Sequence, residues 1–250
     1  MVVKDIDIYI KNYTTLKRNF KVRKSKNYVE FVADNGRRLF YNKNDTFSKG
    51  LFLFRMVNND IKKFLEDHSI KNIHLIGHSM GGKAAMVLDK LYQGFISKLV
   101  IVDIAPVTYA PNFENYLKTL YSLDLGRFNT RSEIDIKLSE YFEEVSFRSF
   151  LMQNLKMDEK KSFYWRVNLT SLIRNSVAIS EFPVINGVSN TEALFLYGEL
   201  SEYGVTEHKD TIKESFPLSE FAPVAKAGHW VHVEKPIKFL EIVTKFIKSD

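Results

Sequence analysis

The sequence predicts an α/β fold: one domain over residues 1–250, with a mostly parallel sheet flanked by helices and a helical insertion over 111–188. Three observations predict it. Strand and helix patterns alternate on both sides of the insertion. Within residues 72–103 a strand, a tight turn, a helix and a second strand follow one another, which is a βαβ unit and implies parallel strands. Between the two alternating parts the patterns are helical, dense in Phe, Tyr and Leu.

Ahead of Asn59 few strands are convincing. Residues 59–67 place Ile61, Phe64 and Leu65 at helical spacing, ending near His68. Residues 72–77 (NIHLIG) are a short apolar strand, His78–Gly82 a tight turn, and residues 83–92 a helix closed by Gly94. KLVIVD (98–103) is a second buried strand, stopped by Pro106. Residues 111–123, 131–144 and 146–157 read as short helices of the insertion, which has no strand of comparable quality. The alternation then resumes, with strand 193–197, helix 208–215, strand 220–225 and a closing helix over 236–247.

Composition excludes several classes. Hydrophobic residues are 45% and charged residues 26%, an ordinary globular mixture rather than a coiled coil, a collagen-like repeat or a disordered chain. No apolar run approaches the ~18 residues of a membrane-spanning helix. With no cysteine there is no disulfide framework, thiolate metal site or cysteine nucleophile, which fits an intracellular compartment. The opening MVVKDIDIYI has acids where a secretory signal would be apolar, so none is expected. The net charge of +6 is concentrated in residues 1–30, where eight Lys and Arg meet three acids. Without a zinc finger, an aromatic RNA-binding signature or a Gly-rich phosphate loop beside it, this cluster reads as a solvated face, and no nucleic-acid partner is expected.

The chemistry begins at Gly77-His78-Ser79-Met80-Gly81, a Gly-x-Ser-x-Gly between a strand and a helix. Such a turn is tight enough to require small flanking residues, and it pushes the serine hydroxyl out over the sheet edge. The helix start aims free N–H groups at an anion beside it, so the Met80 N–H is the expected oxyanion donor. The nucleophile needs a base. His68 ends a helix, His74 lies in a strand, His78 points away from Ser79 within the turn, and His208 opens a helix. His229, in GHWVH (228–232), follows a strand and precedes the last helix, where a loop can reach Ser79; His232 is expected to pack. The acid that orients the base falls to Asp103, at the end of the strand after the turn, or to Glu199, after the next one.

The segments GHSMGGKA (77–84), KLVIVDIAPVTY (98–109), YWRVNL (164–169) and AGHWVHVEKP (227–236) resemble a subgroup of small serine esterases of the α/β-hydrolase fold. It includes bacterial short-chain and acyl-CoA-type esterases, mitochondrial relatives in fungi and animals, and a fungal branch of ethanol acetyltransferases. The resemblance covers residues 59–250. It implies Ser79, His229 and Asp103 as the triad, with Ser201 a polar residue near the histidine, and so raises Asp103 above Glu199. It further implies a cytoplasmic or mitochondrial setting and a small ester or thioester substrate; acyl transfer to an alcohol and a retired enzyme are the alternatives. No cofactor is expected, since serine acyl transfer needs none. The departure is N-terminal. Relatives carry a strand ending in His-Gly, whose loop supplies a second oxyanion donor, and a later Arg-Asn-His-Gly turn. This chain has no His-Gly dipeptide; Asn12-Tyr13 align just beyond the first loop, and VADNG (32–36) resembles a remnant of the second turn. The first strands are therefore expected to be missing or rebuilt, leaving a sheet edge for residues 8–31 or a partner to cover.

Overall fold

The structure, a computed structural model, describes residues 20–24, 28–33, 38–42 and 49–249, with side-chain surroundings from Asn58 onward. The basic cluster of residues 1–30, Asn12-Tyr13 and the remnant at 32–36 lie wholly or largely outside the described residues. Three strands come first, β1 (Phe20–Lys24), β2 (Tyr28–Ala33) and β3 (Arg38–Asn42). They form an antiparallel meander of their own. The sequence expects the first strands to be missing or rebuilt; among the described residues these three pair with one another and not with the main sheet.

The main sheet is parallel, in the order β4 (Ile73–His78), β5 (Ile96–Val102), β8 (Glu192–Gly198), β9 (Ser219–Val224). Its register runs Ile76 to Val100 to Leu194 to Glu220. Because successive side chains point to opposite faces, β5 and β8 supply both halves of the core. Leu99, Ile101, Ala193 and Phe195 pack with Met86 and Leu88 of helix α2 (Met80–Leu91) and with Ile212 and Phe216 at helix α8 (Lys209–Ser215). Val100, Val102, Leu194 and Leu196 pack on the other face against Val243 and Phe246 of α10 (Pro236–Lys248). Lys98 fastens the end of that helix, its Nζ donating to the carbonyl of Phe246 at 3.0 Å and to Ser249 Oγ at 2.8 Å, where a cation is favoured by the helix dipole.

Two boundaries differ from the sequence reading. Helix α1 runs over Lys49–Asp67, not only its last nine residues. The run Leu51–Phe54 is apolar on every face, so it has no 3.6-residue signature to read. Between β5 and β8 lie the helices α3 (Phe113–Ser122), α4 (Arg131–Ser139), α5 (Val145–Met152), α6 (Leu169–Arg174) and α7 (Ser176–Ser180). Among them sits a small hairpin, β6 (Leu155–Met157) with β7 (Phe163–Trp165), whose first strand the sequence reading placed in a helix. Three-residue strands are too short to show alternation. The turn is nonetheless specified: Asp158 Oδ1 accepts from Lys160 N at 2.9 Å and Ser162 N at 2.8 Å. This segment has its own core of Leu120, Ile134, Leu138, Leu151, Leu155 and Phe163.

Candidate active site

All the candidate residues fall at the carboxyl ends of the parallel strands, the edge where open α/β sheets bind ligands. Two backbone hydrogen bonds extend the ladder past the strand ends. Ser79 N donates to Val102 O at 3.0 Å, and Asp103 N to Leu196 O at 2.8 Å. Ser79 thus stands directly after β4 and Asp103 directly after β5. Ser201 follows β8, and His229 follows β9 ahead of the short helix α9 (Val231–Glu234).

Ser79 holds φ 52° and ψ −121°, a conformation that costs a non-glycine residue about 1–3 kcal/mol and persists only where the surroundings impose it. Here the turn imposes it. A Cβ on Gly77 would stand 2.4 Å from Gly81 O, so the chain crosses itself at a distance that only glycine permits. Met80 opens α2, and the N–H groups of a first helical turn have no intrahelical acceptor.

Asp103 is fully buried and accepts three hydrogen bonds. Gly198 N donates to Oδ1 at 3.0 Å, His229 Nδ1 donates to Oδ2 at 2.7 Å, and the Ser201 hydroxyl makes a short bond to the same oxygen. A carboxylate only accepts, so the proton of the neutral imidazole is held at Nδ1 and Nε2 is left as the basic nitrogen. Glu199, the other candidate acid, is exposed; its N–H donates to Val224 O at 3.1 Å.

Three further residues shape this group. The Glu234 carboxylate accepts from Gly228 N at 2.7 Å and Trp230 N at 3.1 Å, bracing the peptide groups on either side of His229. His78 lies under the loop, its Nε2 donating to His229 O at 2.9 Å, with its ring 4.6 Å from that of His229 and 4.8 Å from that of His232. Burial, and then the neighbouring His229, push the His78 pKa down to about 3, so it serves as a neutral donor. His232 is also shifted down, chiefly by burial. Tyr203 stacks on the His229 ring, with centroids 4.1 Å apart and planes 22° apart.

The structure therefore brings Asp103, Ser201 and His229 into one hydrogen-bonded group. Ser79 stands at the same sheet edge, its N–H donating to Val102 O at 3.0 Å, and among the described residues no hydrogen bond joins its hydroxyl to the imidazole. Sequence reasoning missed Tyr203 and Glu234. The only available signals were their positions, two residues after Ser201 and five after His229.

The helices between β5 and β8 reach this edge. Phe150 of α5 stacks on Trp230 at 4.4 Å, and Met80 packs with Phe113, Leu172 and Ile179. The exit of the segment is tied back to the strand loops by Tyr109 N donating to Ser180 O at 3.0 Å and Phe182 N to Thr108 Oγ1 at 3.0 Å. Among the described residues no cluster of His, Asp or Glu could hold a metal ion, and no helix is long and apolar enough to cross a membrane.

The chain is 35% identical over 196 residues to the sn-1-specific diacylglycerol lipase ABHD11 of Xenopus laevis, covering 76% of this chain and 62% of that protein. It is 30% identical to the esterase YbfF of Escherichia coli, over 76% of this chain and 73% of that one. It is 31% identical to a probable alcohol acetyltransferase of Saccharomyces cerevisiae, over 78% and 63%. The chain thus spans about six-tenths of the length of the diacylglycerol lipases it matches. Among solved structures, a marine microorganism esterase superposes with a TM-score of 0.72 at 26% identity, over 96% of this chain and 92% of that one. The family model described as alpha/beta hydrolase fold matches residues 39–236, most of the sequence, and the chain belongs to the α/β-hydrolase fold family.

Proposed function

We propose that the chain is a serine hydrolase of carboxylic esters or thioesters, acting through Ser79, His229 and Asp103. The observation that carries this reading is the buried Asp103 carboxylate bound to His229 Nδ1 at 2.7 Å beside a serine held at φ 52°. That bond fixes the tautomer that leaves Nε2 basic. Ser79 Oγ attacks the carbonyl carbon as Nε2 takes its proton, and the Met80 N–H donates to the oxyanion. The imidazolium, stabilised by Asp103, then gives the proton to the leaving alcohol or thiol. Water repeats the sequence on the acyl-enzyme, releasing the acid and restoring Ser79. Ser201 holds the carboxylate in place.

Residues 111–188 are read as a lid within the single domain. Phe113, Leu172 and Ile179 beside Met80 offer an apolar wall for the acyl chain, in keeping with the esterases and diacylglycerol lipases to which the chain is similar. The test is hydrolysis of p-nitrophenyl acetate and butyrate by the wild-type protein and by Ser79→Ala. The expected loss is on the order of 10⁵-fold or more. Equal rates in two proteins that are both folded by circular dichroism would leave a retired member of the family. The similarity to an alcohol acetyltransferase motivates a second reading, in which an alcohol takes the place of water. Ethyl butyrate formed when ethanol is added would support it, and its absence would leave hydrolysis alone.

A further inference from the structure

Ser79 follows β4 and His229 follows β9, and these are the two outer strands of the four-stranded sheet among the described residues. At about 4.8 Å per strand, the loop of the base reaches across roughly 14 Å of sheet edge to meet the nucleophile. Asp103 orients the imidazole through Nδ1, from the end of β5. A second hold comes from the nucleophile's own turn. We propose that His78 is a positioning residue, which sets the register between nucleophile and base by tying the serine's turn to the backbone of His229. This rests on the serine-hydrolase reading above.

Three observations carry it. His78 immediately precedes Ser79, and its Nε2 donates to the carbonyl of His229 itself at 2.9 Å, across 151 positions of sequence. A carbonyl only accepts, so the proton of the His78 ring sits on Nε2. A slide of the base loop along the sheet edge would break this bond. Next, the peptide groups on either side of the base are held from within the same segment, Gly228 N and Trp230 N donating to Glu234 at 2.7 and 3.1 Å. The loop therefore keeps its own shape, and the His78 bond fixes where that shape stands relative to Ser79. Finally, the His78 ring lies among the rings of His229, Trp230 and His232, with centroids 4.6, 4.9 and 4.8 Å away, which holds its donor on the carbonyl. Burial, and then His229, push its pKa down to about 3, so the ring stays neutral and puts no opposing charge beside the imidazolium that His229 becomes during turnover.

The deciding pair is His78→Phe, which keeps an aromatic ring among its neighbours and removes the donor, and His78→Gln, whose amide Nε2 donates from a similar reach. Both are assayed with p-nitrophenyl butyrate and with ethyl butyrate. Misplacing a reacting group by about 1 Å costs on the order of 100-fold, so kcat of His78→Phe on the aryl ester should fall about that far with KM within about twofold, and His78→Gln should recover at least about tenfold of the loss. The second ester separates positioning from a general loss of folded protein. Ethoxide must take a proton from His229 as it leaves, whereas p-nitrophenolate leaves without one, so kcat/KM of His78→Phe should fall further on ethyl butyrate. A folded His78→Phe near wild type, equal falls on the two esters, or His78→Gln as slow as His78→Phe would each overturn the proposal. If His78→Phe does not fold, nitrogen NMR of isotope-labelled histidine in the wild type decides. At neutral pH the His78 ring should be protonated on Nε2 alone, and a proton on Nδ1 would overturn the proposal. Fluorophosphonate labelling of wild type that Ser79→Ala abolishes separates the two failures. With labelling, a negative result removes only the His78 assignment; without it, the hydrolase reading falls and takes the assignment with it.

Discussion

On the acid–base side of the site, Asp103 has no solvent exposure and three donors surround it; on the nucleophile side, β4 is the edge of the four-stranded sheet among the described residues and Ile76 within it is 45% exposed. β5 is buried at six of seven positions, whereas β4 is buried only at Gly77. The difference teaches where the fold invests its rigidity. The base and its acid sit between loops tied to each other, Glu199 N to Val224 O at 3.1 Å and Leu200 N to Ala227 O at 2.9 Å. The serine depends on the geometry of its own turn and on α2. The serine turn is a local structure within five residues, whereas the Asp103–His229 pair is assembled across two strand loops.

The largest effect should come from Asp103→Asn. An amide of the same shape must turn its NH₂ toward one of Gly198 N–H, Ser201 O–H or His229 N–H, or force His229 into the tautomer with the proton on Nε2. A fall in kcat on the order of 10⁴-fold on p-nitrophenyl butyrate is expected, with the fold retained. A loss under tenfold would mean that the acid–base side is not what its burial implies.

Two glycines sharpen the comparison. A Cβ on Gly198 would stand 2.3 Å from both Ala227 O and Gly228 O, across two strand loops, whereas on Gly77 the obstacle at 2.4 Å is Gly81 O, within the same turn. Both substitutions overpack backbone. Gly198→Ala should cost about 3 kcal/mol in urea denaturation, and Gly77→Ala about 1–2 kcal/mol, because its turn lies at the open edge and can shift. The reverse order would show that the nucleophile side is the stiffer one.

The same contrast decided what could be read from the sequence. Ser79 and Met80 were legible because their geometry is specified within five consecutive residues. Asp103 and His229 were legible as chemistry at the ends of recognisable strands, although the choice of Asp103 over Glu199 needed the family resemblance as well. Tyr203 and Glu234 were not, since a tyrosine stacked on a distant histidine and a carboxylate reaching back to its own loop leave no periodic trace. The first half of α1 and the β6–β7 hairpin were missed for lack of a measurable period, one being apolar all round and the other too short.

Lys83 offers the smallest and most specific test, because it ties the nucleophile helix to the exit of the helical segment. Its side chain is buried; Nζ makes a short bond to Ser180 O, donates to Glu181 O at 3.2 Å and lies 4.9 Å from the centroid of the Tyr109 ring. Burial pushes its pKa down to about 8, against a weaker upward pull from Glu181. Between pH 8 and the ordinary lysine value the unfolded chain keeps a proton that the folded chain has released, so raising the pH favours the folded state. Below pH 8 both states are protonated and the cost of burying the charge is paid in full. The stability difference between wild type and Lys83→Met should therefore move in favour of wild type by on the order of 1 kcal/mol between pH 7 and pH 9. Urea midpoints of the two proteins at both pH values measure it, with other titrating groups cancelling in the difference. A constant difference would mean that Lys83 keeps its charge throughout, held by the Ser180 and Glu181 carbonyls. The nucleophile side would then have a firm ionic anchor, and its contrast with the acid–base side would narrow.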